Sequence, residues 1–446
     1  MSEILSTTLV IFLVSIVKGQ EFDSNDTCGG CLKLTPLIRQ NASEARILSQ
    51  VDPEHFLGLT SYSGFITVKE NYDSNLFFWF FPAKTQLETT PWIIWLQGGP
   101  GFSSMVGLFD ILGPLRVENG EVKLREVTWT SDYSVLFLDN PVGAGFSFTN
   151  NDDGYLNNED DVGAQMLEFL KQFLEMFPKL REAPLFLAGE SYAGKYVPAL
   201  GIQIHRNREK HPINLRGLMI VSGMIDPHSL MHYSELVSAL GLLEDEDVEA
   251  VKILEKATVR LIKERKMVNA SNKFNETIEY IKKHSGVSIY NFNHDPTPVD
   301  QAPEFEEFIN RPYIRKAVGA GNVTFHYNNQ DVYQKMLPDI MNSTKPFLEE
   351  LLEHYGVLCF HGQQDIILAH SVSVNTYKSL KWSRSQEYID APRKHLRDFV
   401  SGKVVAFKKS GGNFTKVLIR GAGHMVPVDQ PRVTKLILDQ FVNKYK

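Results

Sequence analysis

The sequence predicts an α/β protein in which a mostly parallel central sheet carries helices on both faces and is interrupted by one helical insertion. Short apolar runs flanked by turn residues recur along the chain, and they are continuous rather than alternating, which indicates strands buried on both faces. These runs occupy residues 92–96, 134–138, 185–188, 218–221, 357–360 and 417–419. Apolar residues at helical spacing lie between and after them, in residues 162–177 and 433–441. Strands that alternate with helices favour a single α/β domain.

An early hairpin and a later helical segment complete the predicted organisation. Residues 65–68 and 75–81 are aromatic and β-branched and are separated by turn residues, so they predict two antiparallel strands. Residues 229–345 contain no comparable apolar run and include an amphipathic stretch from Val251 to Leu261. The predicted divisions are an N-terminal extension at 20–60, a core in two parts at 61–228 and 346–446, and a helical cap insertion at 229–345.

The composition is that of a globular protein with a full core. The chain has 446 residues, 43% of them hydrophobic, and a net charge of -7. Since it contains no block of Lys and Arg, the sequence predicts no basic surface that would bind nucleic acid or an anionic membrane.

The cysteines are too few for a disulfide-dense scaffold, since there are three of them. Cys28 and Cys31 are expected to form a local disulfide or to remain two free thiols, and Cys359, inside an apolar run, is expected to be a small core residue. A zinc site needs four ligands and no second cysteine pair exists, so no metal and no other cofactor is predicted.

Residues 1–19 predict a signal peptide with cleavage after Gly19. The apolar run from Leu9 to Val17 is shorter than the roughly 20 residues that span a bilayer, and the chain turns polar directly after it. The leader departs from the usual pattern because Glu3, and no Lys or Arg, precedes the apolar run. Asn-x-Ser/Thr acceptors agree with entry into the secretory pathway, ending in secretion or in a lysosome. The acceptors are Asn25, Asn41, Asn269, Asn275, Asn322, Asn342 and Asn413.

A serine follows one of the predicted strands in a pattern typical of a nucleophile. Residues 185–188 lead into Gly189-Glu190-Ser191-Tyr192-Ala193-Gly194, and a helix-compatible stretch comes next. A sharp strand-to-helix turn lifts a nucleophilic serine above a sheet, and its neighbours must be small because the backbone closes tightly there. Taken alone, the pattern also fits an ordinary turn serine.

A glycine-rich loop after another predicted strand supplies the second part of the pattern. Leu96 is followed by Gln97-Gly98-Gly99-Pro100-Gly101, and glycine lets a backbone N–H approach a developing oxyanion closely. With Ser191 as nucleophile, the N–H groups of Gly99 and Tyr192 would form the oxyanion hole. A phosphate-binding loop is excluded because no Gly-Lys-Ser/Thr follows.

These two motifs resemble the serine carboxypeptidase family, whose fold is the α/β-hydrolase sheet with a helical insertion. Residues 139–147 and 420–431, the latter containing Gly-Ala-Gly-His-Met, are also similar to family blocks, and the similarity extends from Tyr62 to the C-terminus. Gln97, where many members have Asn, and the aromatic-rich run 76–83 resemble the vitellogenic-type branch. The resemblance implies an enzyme that removes C-terminal residues from peptides or proteins through an acyl-enzyme.

The resemblance also implies a catalytic triad. Ser191 matches the nucleophile, His424 matches the general base, and Asp365 matches the carboxylate that orients the imidazole. Independently, the chain order Ser, Asp, His is that of the α/β hydrolases. Since every chemical role is filled, an enzyme is favoured over an inactive relative; the other histidines are expected to be surface or structural residues.

Recognition of the substrate's C-terminal carboxylate falls, by resemblance, to Gln97, the N–H of Gly98 and Glu190, with Trp95 shaping the site. A glutamate can face an anionic group only when it is protonated and donates a hydrogen bond. We therefore expect activity at acidic pH, with the KM for peptides rising through neutrality.

One departure from the family bears on this expectation. Many members place a second glutamate where this chain has Ile111, and the adjacent Asp110 would point elsewhere on a helix. Ile111 is the only feature that favours one alternative, a non-catalytic binding protein on the same fold. The other alternative is an esterase or acyltransferase on the same triad.

The side-chain pockets are less clearly defined by the sequence. Met425 and Tyr192 are expected as apolar walls of the leaving-group and acyl pockets, although ordinary packing beside the triad explains Met425 equally well. Side-chain preference is expected to depend on residues 229–345.

Overall fold

The computed structural model describes residues 28–84, 86–296, 302–398 and 400–446, so the predicted signal peptide and Asn25 lie outside the described residues. The strands are β1 (Tyr62–Lys69), β2 (Ser74–Phe81), β3 (Trp92–Leu96), β4 (Leu115–Glu118), β5 (Glu121–Leu124), β6 (Ser134–Leu138), β7 (Leu185–Glu190), β8 (Leu215–Val221), β9 (Gly356–Gly362), β10 (Lys394–Arg397), β11 (Val404–Gly411) and β12 (Phe414–Ile419). All but β4 and β5 form a 10-stranded sheet in the order β1-β2-β6-β3-β7-β8-β9-β12-β11-β10.

The centre of this sheet is parallel and its two edges are antiparallel. Strands β6, β3, β7, β8, β9 and β12 run in one direction, whereas β1, β2, β11 and β10 pair antiparallel. From β3 the chain goes to β6 on one side, and it then returns to β7 on the other. The carboxyl ends of β3 and β7 therefore lie at a topological switch point, where open α/β sheets bind their ligands.

Helices cover both faces of the sheet. They are α1 (Thr35–Leu48), α2 (Glu159–Met176), α3 (Ala193–Arg206), α4 (Pro227–Leu230), α5 (Tyr233–Ala239), α6 (Asp245–Lys263), α7 (Met267–Ser285), α8 (Glu304–Ile309), α9 (Pro312–Ala317), α10 (Gln330–Ile340), α11 (Lys345–Leu352), α12 (His370–Ser379), α13 (Ser385–Asp390), α14 (Val426–Asp429) and α15 (Pro431–Tyr445). Phe173 of α2 packs in one core cluster with Leu187 of β7. On the opposite face, Phe441 of α15 contacts Phe186 with ring centroids 5.9 Å apart.

The predicted fold class is confirmed, as are the β1–β2 hairpin and each predicted strand. Continuous apolarity was a reliable signal because β3, β6, β7 and β9 are buried at every position. The sequence analysis did not predict the β4–β5 ribbon or the edge strand β10. These strands are four residues long and rich in charge, so their pairing depends on neighbouring strands rather than on an apolar pattern.

The regular elements in the described part of the segment 229–345 are helices, joined by irregular stretches such as 318–329. Its two longest helices, α6 and α7, pack against each other. Farther along, Phe305 stacks on Phe109 with ring centroids 5.1 Å apart, and Phe325 contacts Phe146 at 5.0 Å. This later part of the segment therefore contributes to the hydrophobic core as well as covering the sheet.

The cysteines follow the predictions made for them. Cys28 and Cys31 form a disulfide, and Cys359 is a buried free thiol inside β9. Within the described ranges, no helix combines the length and the apolarity needed to cross a bilayer.

Candidate active site

Ser191 lies in a sharp turn between β7 and α3. Its φ is +64°, in the left-handed region that residues other than glycine seldom adopt, and such strain concentrates at functional sites. The Ser191 N–H donates to Val221 O at 3.0 Å, and the Ser191 carbonyl accepts from the N–H of Met224 at 3.0 Å. The predicted need for small neighbours is confirmed, since a Cβ on Gly189 would lie 2.7 Å from the Cβ of Ala193.

The glycine-rich loop after β3 lies against this turn. A Cβ on Gly98 would lie 2.5 Å from the backbone nitrogen of Tyr192 and 2.8 Å from the Cβ of Ser191. The next residue, Gly99, has a φ of +115°, a conformation that glycine adopts without steric cost. The backbones of residues 98 and 192 are thus in contact beside Ser191.

The block 139–147 after β6 holds the base of this loop through hydrogen bonds. Asp139 is fully buried, and its Oδ1 accepts from Ser103 Oγ at 2.5 Å and from the N–H of Ser104 at 2.9 Å. Its Oδ2 accepts from the N–H of Phe146 at 2.9 Å. Ser104 Oγ in turn accepts from the N–H of Gln97 at 3.0 Å. Asp139 therefore links the 139–147 block to the glycine-rich loop.

Asp365 and His424 form a buried pair. Nδ1 of His424 lies 2.8 Å from Oδ2 of Asp365. Since an ionised carboxylate only accepts, Nδ1 carries a proton, and in the neutral ring Nε2 has a free lone pair. Burial lowers the pKa of His424, but the charge and hydrogen bond of Asp365, together with the charge of Glu190, outweigh burial, so that the pKa is raised.

Backbone contacts hold the two loops that carry this pair. The N–H groups of Gln363 and Gln364 donate to the carbonyls of Ile419 and Ala422 at 2.9 and 2.8 Å. A Cβ on Gly362 would lie 1.9 Å from the carbonyl oxygen of the residue before His424. A glycine at the end of β9 is therefore needed for the loops to approach.

Ser222 connects the base loop with the nucleophile turn. Its Oγ donates to the carbonyl of His424 at 3.0 Å, and the preceding residue, Val221, accepts from the N–H of Ser191. Ser191, Asp365 and His424 follow β7, β9 and β12, which are parallel strands of one sheet. All three predicted triad residues therefore lie at the carboxyl ends of the parallel strands, on the same side of the sheet's long axis.

Glu190 and Gln97 form a buried polar pair next to Ser191. Gln97 Nε2 donates to Glu190 Oε1 at 2.9 Å, and Gln97 Oε1 accepts from Trp95 Nε1 at 3.1 Å. Glu190 is fully buried, and its Oε2 has no hydrogen-bond partner among the described residues. Burial raises the pKa of Glu190 to about 7; the charges of Asp365 and Asp429 also raise it, whereas His424 and Gln97 act in the opposite direction.

The position of the family's second glutamate is apolar. Ile111 is buried in the cluster that also contains Trp95, and the expectation that Asp110 points elsewhere agrees with its exposure to solvent. Burial is therefore the main cause of the raised pKa of Glu190, without a neighbouring glutamate at residue 111.

The two predicted pocket walls have different surroundings. Met425, the residue after His424, is 40% exposed. Tyr192 is buried, and its hydroxyl lies 3.2 Å from Lys195 Nζ and 3.3 Å from Asp339 Oδ2. The hydroxyl of Tyr192 is thus directed into a polar cluster in the interior.

That cluster was missed by the sequence analysis. Lys195 of α3 is completely buried and forms an ion pair with Asp339 of α10. Glu159, at the start of α2, is buried close to both charges. The available signal was a lysine in the otherwise apolar stretch that follows Ser191.

A segment of the insertion was also missed. The carbonyl of Ile289 accepts from the N–H groups of Ile366 and Ile367 at 3.0 and 3.1 Å, and the carbonyl of Tyr290 accepts from the N–H of His424 at 2.7 Å. Residues 289–290 therefore bind the loops of both Asp365 and His424 through backbone atoms. Backbone contacts of this kind leave no pattern in the side chains.

Among the predicted glycosylation acceptors that are described, Asn41, Asn269 and Asn322 are exposed. The other three are half-buried and hydrogen-bonded. Asn275 Oδ1 accepts from the Tyr333 hydroxyl, whereas the side-chain amides of Asn342 and Asn413 donate to backbone carbonyls.

Comparison with known proteins identifies the family. The family model for serine carboxypeptidases matches residues 52–444. The chain belongs to the serine carboxypeptidase family. It is therefore a serine-type carboxypeptidase, a hydrolase whose substrates are peptides, and the predicted activity is confirmed.

Several relatives resemble this carboxypeptidase over nearly their whole length. It is 38% identical to the vitellogenic carboxypeptidase of Aedes aegypti, over 93% of this chain and 90% of the relative. It is also 38% identical to the venom serine carboxypeptidase of Apis mellifera, over 92% and 91%, and to the probable serine carboxypeptidase CPVL of Homo sapiens, over 93% and 90%. The predicted resemblance to the vitellogenic-type branch is confirmed.

A solved structure supports the fold. Kex1Δp, a prohormone-processing carboxypeptidase from Saccharomyces cerevisiae, superposes with a TM-score of 0.80 over 90% of this chain and 96% of that chain, at 24% sequence identity. The carboxypeptidase therefore has the α/β-hydrolase fold.

Proposed function

We propose that this carboxypeptidase releases C-terminal residues through an acyl-enzyme on Ser191. The proposal depends on the 2.8 Å hydrogen bond between His424 and Asp365. This pair lies at the carboxyl ends of the parallel strands, where Ser191 also lies. Nε2 of His424 takes the proton as Ser191 Oγ bonds to the scissile carbonyl carbon. The same proton passes to the leaving amine when the C–N bond breaks, and water then hydrolyses the ester by the reverse sequence. The oxyanion accepts from the N–H groups of Gly99 and Tyr192.

Exopeptidase specificity in this proposal comes from the polar pair beside the nucleophile. Glu190, protonated through burial, donates from its free oxygen to the substrate carboxylate, while Gln97 and the N–H of Gly98 donate as well. Trp95 supports this site by donating to Gln97. Met425, exposed beside His424, forms one wall of the leaving-group pocket, and the ring of Tyr192 forms a wall of the acyl pocket.

The proposal includes a preference for acidic pH. The pKa of Glu190 is raised to about 7, so the carboxyl group is a donor below that pH and a repulsive carboxylate above it. The pKa of His424, although also raised, sets the acidic limit, because the base must be neutral to accept a proton.

The proposed route of the protein is the secretory pathway, followed by secretion or lysosomal delivery. The exposed acceptors Asn41, Asn269 and Asn322 and the Cys28–Cys31 disulfide are consistent with an oxidising, glycosylating compartment. Residues 1–19 are proposed as the signal peptide and residues 229–345 as the cap that determines side-chain preference.

Hydrolysis of an N-blocked dipeptide between about pH 6 and about pH 7 tests the catalytic proposal, because His424 must be neutral while Glu190 is still protonated. Ser191→Ala should lower kcat by about 10⁴-fold or more, and Asp365→Asn by about 10³- to 10⁴-fold. Ser131→Ala is the matched control, because Ser131 is exposed and precedes β6, at the amino-terminal ends of the parallel strands and away from the triad. Undiminished hydrolysis by Ser191→Ala would refute the assignment, and turnover of an ester without turnover of the peptide would favour an esterase.

A further inference from the structure

A second buried histidine lies behind the triad carboxylate. His361 is the penultimate residue of β9 and has no exposed side-chain surface. By strand alternation it shares a face of the sheet with Cys359, toward α12. The sequence analysis assigned it no role beyond structure.

The hydrogen bonds of His361 define its tautomer. Nδ1 lies 3.0 Å from the carbonyl oxygen of Leu368, which can only accept, so Nδ1 carries the proton. Nε2 then has a free lone pair and accepts from the hydroxyl of Tyr377, a buried residue of α12. Burial also lowers the pKa of His361 to about 4, so the ring is neutral where the enzyme is expected to work.

Leu368 connects this imidazole to the triad. Its N–H donates to Oδ1 of Asp365 at 3.2 Å, while Oδ2 of Asp365 accepts from His424 at 2.8 Å. One carboxylate oxygen therefore faces the base, and the other is held by the residue whose carbonyl His361 binds. The chain of contacts runs from Tyr377 through His361, Leu368 and Asp365 to His424.

We propose that His361 is a positioning residue for the triad. Tyr377 orients its imidazole, and the Nδ1–H group then fixes the turn 365–368 so that Oδ2 of Asp365 is aimed at His424. This inference rests on the proposed role of Asp365 and adds a residue that acts on it from the interior. Misplacing reacting groups by about 1 Å can cost about 100-fold in rate, so restraint of this turn has a direct catalytic consequence.

The same turn has other supports, which set the size of the expected effect. The Tyr233 hydroxyl donates to the carbonyl of Ile367 at 2.7 Å, and Ile289 accepts from residues 366 and 367. Loss of His361 should therefore misalign Asp365 without releasing the turn completely.

Three substitutions in the full-length protein separate the contacts. His361→Leu removes both hydrogen bonds, His361→Asn can keep a donor near the place of Nδ1, and Tyr377→Phe removes only the hydroxyl. With an N-blocked dipeptide, we expect kcat to fall about 10- to 100-fold in His361→Leu, less than about fivefold in His361→Asn, and by an intermediate factor in Tyr377→Phe. KM should change by less than about twofold, because none of these residues touches substrate.

The pH profile supplies a readout that general destabilisation would not change. Asp365 raises the pKa of His424, so a misaligned carboxylate should let that pKa fall. Because His424 acts as a base in its neutral form, the acid limb of kcat/KM should move to lower pH in His361→Leu.

Leu358→Ala is the matched control for a packing defect in β9. Leu358 is buried in the same strand but on the opposite face of the sheet. It should lower the unfolding temperature without moving the acid limb. An unchanged acid limb in His361→Leu would overturn the inference. So would an equal fall of kcat in His361→Leu and Leu358→Ala, if the two variants lose the same amount of unfolding temperature.

Two further comparisons keep the outcome decisive. If His361→Leu does not fold, Tyr377→Phe decides, and a wild-type kcat in that variant contradicts the positioning role. Asp365→Asn distinguishes this failure from a failure of the proposed triad. When Asp365→Asn is inactive but the His361 and Tyr377 variants are fully active, the triad stands and the inference about His361 falls.

Discussion

Gln97 donates to one oxygen of Glu190 at 2.9 Å and leaves the other oxygen buried without a partner among the described residues. An unsatisfied polar atom in the interior costs free energy unless a ligand or water completes it. In the proposed mechanism the partner is the substrate carboxylate, and the pKa of Glu190, raised to about 7, favours the protonated form that such a contact needs at acidic pH.

The first prediction concerns the pH dependence of binding. As pH rises through about 7, Glu190 should ionise and repel the substrate carboxylate, so KM for an N-blocked dipeptide should increase while kcat changes less. Glu190→Gln keeps a donor and cannot ionise, so its KM should be nearly independent of pH. Steady-state kinetics between about pH 5 and about pH 8 test this.

The corresponding dipeptide amide is the control substrate, because it lacks the carboxylate. Its KM should be insensitive to pH with either enzyme. A flat KM for the acid substrate with wild-type enzyme would show that Glu190 is not the titrating group.

Asp429 should influence the pH at which Glu190 ionises and KM rises. Its charge is one of those that raise the pKa of Glu190, and its Oδ2 accepts from the N–H of Gly423 at 2.7 Å. Asp429→Asn can keep that hydrogen bond through its side-chain oxygen but removes the charge. The rise of KM should therefore begin at lower pH than in the wild type.

The control is Asp439→Asn on α15, whose carboxylate binds Tyr133 and Lys435 instead. That variant should follow the wild-type KM curve. A shift of the Asp429→Asn curve to higher pH would contradict the electrostatic account.

Gly98→Ala should damage the chemical step. The added Cβ would lie 2.5 Å from the nitrogen of Tyr192 and 2.8 Å from the Cβ of Ser191, which displaces a proposed oxyanion donor. Loss of one such donor costs about 100- to 1,000-fold in kcat. Single-turnover acylation by a chromogenic ester measures this step directly.

Gly201→Ala is the matched glycine control. There the nearest atom to an added Cβ is Cδ1 of Leu351 at 3.0 Å, the end of a flexible side chain. Its acylation rate should remain at the wild-type value. Equal rates in Gly98→Ala and the wild type would mean that the loop is not part of the oxyanion hole.

The Lys195–Asp339 pair should matter for stability. Both side chains are buried, and removing one partner of a buried pair leaves an uncompensated charge at a cost of about 3–5 kcal/mol. Lys195→Met should cost more than Asp339→Asn, because it also leaves the buried Glu159 next to Asp339. Urea unfolding of each variant gives the free energies.

The double variant Lys195→Met/Asp339→Asn provides the internal control. It removes both charges, so its loss of unfolding free energy should be smaller than the sum of the single losses. Additive losses would indicate that the two residues act independently of each other.

Local sequence patterns were sufficient for much of the fold and the site. The strands β3, β6, β7 and β9 were predictable because continuous apolar runs are needed where a strand is covered on both faces. The nucleophile turn was predictable because its steric crowding permits few residue types, as the contact between positions 189 and 193 shows. Asp365 and His424 were predicted from the resemblance to the serine carboxypeptidase family, and their order after Ser191 along the chain agrees with that prediction.

The tertiary structure alone decided how those residues are held. Lys195 and Asp339 are 144 positions apart, and Asp365 and His424 are 59 apart, so no local periodicity relates them. The supports of the triad from Ile289 and Leu368 use backbone atoms, which every residue possesses. The sequence by itself thus determined which chemical groups this carboxypeptidase carries, whereas their alignment and protonation arise from burial and long-range contacts that exist only in the folded chain.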